Sequence, residues 1–396
     1  MPKIANDLID FAKQNNLKDI PPSGIRAFDI KSSQIPGIIK LTLGEPDLNT
    51  PEHVKYAASQ SILNNDSHYS AQEGKLELRK AISNYMKRTE GLDYDPETEV
   101  LVTIGGTEAI TASFLSLFHP GEEVIVPTPS YALYFPVIQM SGATLVSINT
   151  SNTDFILTPE SLKATLTDHP KAKAIILNYP TNPTGREYSS DELKKLASII
   201  KDHQLMVISD EIYSELLYDV KHVSIARFIP ERTLVVNGLS KSHAMTGYRI
   251  GYVVGPAGLI KVVREMHAFM VTAPSNPAQA AAIEALENGS DDPAKACEIY
   301  RKRRDFITKA FKDMGLQTVL PEGAFYVFVK IPEKYGDDDW AFTSDLAEKG
   351  KVGGVPGRSF GPGGEGYIRF SYAASDEDLH EAVKRIKRFL EEEVNS

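Results

Sequence analysis

Lys241 and Arg249 stand eight residues apart in Asn237-Gly-Leu-Ser-Lys-Ser-His-Ala-Met-Thr-Gly-Tyr-Arg-Ile-Gly251, the stretch best equipped for covalent chemistry. Just before it, Thr233-Leu-Val-Val-Asn237 is β-branched and apolar, as a buried parallel strand requires, and Gly238 ends the run. Lys241 is therefore expected just past a strand's carboxyl end, where open α/β sheets bind their ligands. A desolvated amine near a fixed cation loses its proton more easily, so it can serve as nucleophile and later as base near neutral pH. Arg249 is placed to be that cation and to pair with an anionic ligand.

Other residues bring charge or donors into apolar settings. Asp210 ends the run Leu205-Met-Val-Ile-Ser209. A carboxylate buried there needs a partner, and a cation, a helix cap or a salt bridge would each meet that need. Arg369 lies in the alternating segment Gly366-Tyr-Ile-Arg-Phe-Ser-Tyr372. A buried arginine pairs best with a bidentate carboxylate, and an amino acid supplies one. Gly105-Gly106-Thr107 follows the apolar run 100–104 and opens a helix, so its amides suit a phosphate. It lacks the Gly-x-Gly-x-x-Gly spacing and the Walker Gly-Lys-Ser/Thr, which weakens nucleotide readings. In Asn178-Tyr-Pro-Thr-Asn-Pro-Thr-Gly185, two prolines and a glycine fix a loop and turn the Asn182 amide inward.

These residues need a scaffold that gathers loops. From Glu99 onward apolar runs at 100–104, 124–126, 174–177, 205–209 and 233–237 alternate with helical stretches such as 108–118 and 190–203. Such alternation implies an α/β fold, a large doubly wound and mostly parallel sheet covered on both faces. Upstream, 75–90 has helical periodicity, and residues 1–40 read as a short amphipathic helix followed by a loop. After about residue 285 the texture becomes a charged helix (293–314), a strand (324–331), a Gly-rich loop (350–366), a strand (367–372) and a final helix (376–393). This suggests a large domain over 41–285 and a smaller α+β domain built from 1–40 and 286–396. Because a strand follows the Gly-rich segment Gly353–Gly366, that segment is expected to be a mobile cover, not a phosphate loop.

Composition narrows the function classes. The 396 residues, 42% of them hydrophobic, can build proper cores, and a formal net charge of −10 gives no reason to expect nucleic acid or an anionic membrane as partner. A single cysteine, Cys297, excludes an intrachain disulfide, and the nine histidines show no metal-ligand spacing. No run reaches transmembrane length and the amino terminus lacks an apolar core, so a cytoplasmic protein is expected.

Taken in order, these motifs resemble the class I and II aminotransferases, pyridoxal-phosphate enzymes of fold type I akin to aspartate and aromatic aminotransferases. The likeness rests on Gly238-Leu-Ser-Lys241 with Ala244-Met245, Gly247, Arg249, Ile250 and Gly251, and on Gly44-Glu-Pro-Asp47, Tyr69 with Gly74, Tyr131, Asn182 and Asp210-Glu-Ile-Tyr213. It implies pyridoxal 5'-phosphate as cofactor, in Schiff-base linkage with Lys241. By the same resemblance Lys241, Asp210 and Tyr213 are catalytic, with Asp210 on the ring nitrogen and Asn182 and Tyr213 on the phenolic oxygen. Tyr131 would stack on the ring. Gly105, Gly106, Thr107, Ser240 and Arg249 would hold the phosphate, with Tyr69 reaching across from the second subunit of a homodimer. Gly44, Asn182 and Arg369 would bind the substrate.

Two departures from the family pattern matter. Gly238 stands where many relatives have a phosphate-binding serine, which leaves Ser240 as substitute. Thr107 stands where relatives preferring acidic substrates can carry a lysine. With Tyr131 and Phe360 as apolar walls, an aromatic or large neutral L-amino acid is the expected donor, and a 2-oxo acid such as 2-oxoglutarate the acceptor, in a ping-pong reaction. Aspartate, an acylated diamino acid, or C–S β-elimination on the same residues remain alternatives. A non-catalytic ligand sensor is a rival from another class, and a nicotinamide dehydrogenase lacks its glycine fingerprint.

Overall fold

The computed structural model describes residues 3–13, 17, 18, 20 and 24–394. Its main sheet has seven strands in the order Val100–Thr103, Gly251–Val254, Thr233–Gly238, Met206–Asp210, Ala172–Asn178, Glu123–Thr128 and Thr144–Asn149. All neighbours are parallel except Gly251–Val254, which is antiparallel to both of its own. Every residue of Val100–Thr103, Thr233–Gly238 and Gly251–Val254 is buried, which is why these segments read as unbroken apolar runs. Thr144–Asn149, at the sheet's edge, alternates instead between covered and solvated positions.

Successive side chains of each strand enter different cores. Leu234 and Val236 pack with Ala109, Ile110 and Phe114 of the helix Gly105–Leu117 and with Ile260 and Val263 of Ala257–Val271. Val235 points the other way, toward Leu78 and Ile82 of Leu76–Glu90 and the alanines of Asn276–Asn288. The parallel strands therefore end together, with Asn178 paired to Asp210 at the carboxyl edge.

A second, antiparallel sheet runs Val355–Pro356, Tyr367–Ser371, Tyr326–Lys330, Thr318–Val319, and places Arg369 opposite Phe328 on one side and Val355 on the other. Ile307 and Phe311 of Asp292–Asp313 and Leu379 and Ile386 of Asp376–Val394 cover it. Ile39–Lys40 pairs in parallel with Val352–Gly353, and the Ser371 amide donates to the Leu41 carbonyl at 2.8 Å. That seam brings the early segment, and Gly44 with it, beside Arg369.

Three expectations need correction. Residues 24–32, read as loop, form the helix Gly24–Ser32. It is held from outside, by Phe28 edge-on to Trp340 at 5.7 Å and by Asp29 accepting from Thr42 at 2.6 Å, so its own sequence pattern is weak. The Gly-rich segment is no mobile cover: it contains two short strands and the 3-10 turn Gly357–Phe360, it is largely buried, and the Ser130 amide donates to the Phe360 carbonyl at 2.8 Å. Its glycines serve close packing, since a side-chain carbon on Gly357 would collide with the Gly364 and Tyr367 carbonyls. Finally, the helix after the first strand starts at Gly105 and not at 108, because the glycines are themselves its first turn. Among the described residues no helix is long and apolar enough to cross a membrane, and no cluster of His, Cys, Asp or Glu could hold a metal ion.

Candidate active site

The loops that follow Asn178, Asp210 and Gly238 share a cavity of about 530 Å³ with the start of the helix Gly105–Leu117 and with Arg369. On its wall stand Gly44, Gly106, Thr107, Tyr131, Asn182, Asp210, Tyr213, Ser240, Lys241, Arg249 and Arg369. Two residues anticipated from sequence lie off it. Gly105 sits behind Arg249, and Tyr69 projects into solvent, 86% exposed. Phe360, anticipated as an apolar wall beside Tyr131, is instead fully buried with its ring 5.0 Å from the Arg369 guanidinium.

The Lys241 amine is turned into the cavity and donates to the Gly44 carbonyl at 2.6 Å. Burial lowers its pKa from 10.5 to about 8; Arg249 and Arg369 push the same way, against Glu45 and Asp210. Asp210 is the mirror case. Burial raises its pKa to about 6, against the hydrogen bonds from the Tyr134 hydroxyl at 2.6 Å and the Ile212 amide at 3.2 Å. Those donors are neutral, and among the described residues no lysine or arginine lies within ion-pair distance of it. A buried carboxylate so placed is a site for a cation.

Arg369 is 2% exposed, and burial lowers its pKa. It donates to the Asn182 side-chain oxygen at 2.8 Å and the Thr42 carbonyl at 2.6 Å, while its Nε has no partner. The guanidinium lies 4.3 Å from the Tyr326 ring centroid, and the Tyr326 hydroxyl bonds that of Tyr213 at 2.6 Å. No carboxylate within the chain pairs with it among the described residues, so its fork remains to be answered by a ligand. Arg249, in the left-handed region at φ 52°, donates to the Thr246 carbonyl at 2.8 Å. A side-chain carbon on Gly105, itself at φ +77°, would come within 2.5 Å of the Arg249 guanidinium. A side-chain carbon on Gly238 would lie tightly against the Gly251 backbone, at 3.0 Å, whereas Ser240 reaches the cavity.

A buried amine, a carboxylate wanting a cation and a guanidinium wanting a carboxylate, on one cavity, have a counterpart among known proteins. The family described as "Aminotransferase class I and II" matches residues 36–386. The chain is a class I and II aminotransferase. A Bacillus subtilis (strain 168) protein described as "Probable N-acetyl-LL-diaminopimelate aminotransferase" is 43% identical to it over 94% of both chains. Aromatic-amino-acid aminotransferase 2 of Thermococcus litoralis is 36% identical over 96% of this chain and 99% of its own. The aspartate aminotransferase of Thermus thermophilus, solved with maleate, superposes with a TM-score of 0.90 at 35% identity, over 98% of this chain and all of that one.

Aminotransferases of this family are fold type I enzymes that use pyridoxal 5'-phosphate, and the cavity suits it. The unpaired Asp210 carboxylate answers a protonated ring nitrogen. Gly106, Thr107, Ser240 and Arg249, together on the cavity wall, answer an anion, and the lowered basicity of Lys241 answers an aldehyde. Sequence reasoning missed Tyr134, Tyr326, Asn178 and Thr42. Tyr134, three residues after Tyr131 where the helix Tyr134–Met140 begins, carried a weak signal; Tyr326, in an unbroken apolar strand, carried none. Asn178 orients the neighbouring loop, accepting from the Asn182 amide at 2.9 Å and donating to the Asp210 carbonyl at 3.0 Å.

Proposed function

We propose that Lys241, Asp210 and Tyr213 are the catalytic residues of this aminotransferase, working on an L-amino acid held by Arg369. When bound, pyridoxal 5'-phosphate supplies the electron sink that lets an amino group leave one carbon skeleton for another. Around it Asp210 keeps the ring nitrogen protonated, and Asn182 and Tyr213 donate to the ring oxygen. Tyr131 offers an aromatic face that keeps water away. Gly106 and Thr107 offer backbone amides at a helix start to the phosphate, Ser240 a hydroxyl and Arg249 a guanidinium, with Gly105 behind Arg249 leaving room for it. Lys241 would anchor the cofactor through its amine, and as a free amine it would move the proton of the substrate α-carbon. Arg369, with Gly44 and Asn182 beside it, receives the α-carboxylate. The observation that carries this reading is the buried, carboxylate-free Arg369 guanidinium with its orphaned Nε on the same cavity as the Lys241 amine.

The donor we favour is an aromatic or large neutral amino acid, exchanged with a 2-oxo acid such as 2-oxoglutarate. Thr107 brings no cation to the cavity, and Tyr131 is part of its wall. A second reading, an acylated diamino acid, has the support of the 43% identical relative's description. We further propose a cytoplasmic homodimer in which Tyr69 of the partner subunit completes the phosphate site, and a division into a 41–285 domain and a domain of both termini.

A visible spectrum of purified protein after cofactor addition tests the reading: an amino acid should bleach the bound chromophore and a 2-oxo acid restore it. Failure to bind cofactor would sink it. Half-reactions with phenylalanine, tyrosine, aspartate, alanine and an acylated diamino acid then rank the donors, and a preference for aspartate would show that position 107 does not set side-chain charge.

A further inference from the structure

Behind the turn that faces the phosphate lies a buried ionic group with no part in the chemistry just described. His267, on the helix Ala257–Val271, is 0% exposed. One ring nitrogen lies 2.9 Å from a Glu108 carboxylate oxygen and the other 2.8 Å from the Gln72 carbonyl. With Glu108 ionised, both partners are hydrogen-bond acceptors, so both nitrogens donate and the ring pairs with Glu108 as a cation. The second Glu108 oxygen accepts from the Ile104 amide at 2.7 Å, at the first turn of Gly105–Leu117, where the N-cap Ile104 has no capping side chain of its own. Glu108 thus does the work of a cap from inside the helix, and it places a negative charge within one turn of the amides that face the cavity from Gly106 and Thr107.

That charge opposes the binding of an anion at the same helix end. We propose that His267 is a positioning residue for the phosphate site: it neutralises Glu108, keeps that carboxylate turned onto Ile104, and so leaves the first-turn amides free for the cofactor's phosphate. Through the Gln72 carbonyl it also ties this helix start to the loop carrying Tyr69. The same loop is held from another side by Asn276, which donates to the His68 carbonyl at 2.7 Å, and by Gln279, which donates to the Ser70 hydroxyl at 3.0 Å. Of the acids of that loop, Asp66 pairs with Lys75, and Glu73 faces Arg79 and Arg264 at 3.9 and 4.0 Å, so none of these cations is placed on Glu108.

The inference rests on the phosphate reading of Gly105–Thr107, and the test separates the two. Cofactor-free wild type, His267→Gln, Glu108→Gln and the double variant are titrated with pyridoxal phosphate and with pyridoxal, which lacks the phosphate, following absorbance. His267→Gln uncovers the Glu108 charge and should weaken pyridoxal phosphate about tenfold or more while changing pyridoxal less than about twofold. Glu108→Gln should not weaken pyridoxal phosphate, and adding it to His267→Gln should recover most of the loss. A purely structural role would lower both affinities together, with no recovery in the double variant, and that result overturns the proposal. So does a selective loss of pyridoxal phosphate in Glu108→Gln, a measurement that holds even where His267→Gln does not fold. Wild-type protein that fails to distinguish the two compounds would instead overturn the phosphate reading itself.

Discussion

At the scale of single residues, catalytic readiness and stability pull apart at Asp210. Its folded pKa, about 6, lies above the ordinary 3.8, so between about pH 4 and 6 the folded chain binds more protons than the unfolded one. Stability from this group therefore falls as pH rises through that window, and above it the whole penalty is present. That difference corresponds to about 3 kcal/mol. Asp210→Asn should accordingly make the cofactor-free protein more stable at pH 7.5 by up to about 3 kcal/mol, with the gain fading near pH 4. Amino transfer should meanwhile drop by powers of ten, as losses of about 3–4 kcal/mol in transition-state electrostatics do. Urea denaturation at the two pH values checks this, and a variant less stable than wild type at both contradicts it. Arg369 gives a second prediction. Arg369→Ala should raise KM for amino and 2-oxo acids by the tenfold or more that corresponds to about 1.5–3 kcal/mol for a charge-assisted bond, yet leave a primary amine without a carboxylate unchanged. Equal losses for both compounds would make the residue structural.

At the scale of elements, the helix start at Gly105 shows how little space the site leaves. Gly105 has φ +77°, and a methyl group there would meet the Arg249 guanidinium at 2.5 Å, so Gly105→Ala is strained in backbone and displaces a charge at once. We expect it to keep the fold, lose at least about 1 kcal/mol of stability and weaken cofactor binding by more than the loss of stability accounts for. A cofactor titration beside a thermal melt separates the two effects, and unchanged binding would place Arg249 outside the phosphate site. The strands that carry Asp210 and Lys241 were legible in the sequence because a strand covered on both faces must be apolar throughout, and such runs stand out. The strand ends then marked where chemistry would sit. The helix Gly24–Ser32 was not legible, because Phe28 and Asp29 are anchored by Trp340 and Thr42 and not by any periodicity of their own. Nor was the supporting shell: Tyr213 and Tyr326 meet across 113 residues of sequence, and Glu108 and His267 across 159. Local pattern has no access to pairs of that separation.

At the scale of the whole molecule, Tyr69 and Phe269 are the most exposed large hydrophobic side chains among the described residues, and Tyr69 is the one the proposed dimer would use. Tyr69 is 86% exposed on a loop pinned by Asn276 and Gln279, so its ring is free to meet a second chain. In the twofold dimer proposed above, each subunit would lend the same residue to the other, so the two active sites would exchange tyrosines. This makes a prediction that separates lending from local action. Lys241→Ala abolishes its own site but still carries an intact Tyr69, while Tyr69→Ala carries an intact Lys241 beside a phosphate site short of its tyrosine. Refolding the two variants together at equal amounts gives mixed dimers in which Lys241 of one chain meets Tyr69 of the other, and one of the two sites is whole. With half of the dimers mixed, about one quarter of the wild-type sites should reappear, measured as cofactor retained under dilution and as amino transfer. If Tyr69 serves the phosphate of its own subunit, the mixture contains no whole site and its activity is the average of its two components, so recovery above that average decides for the exchange.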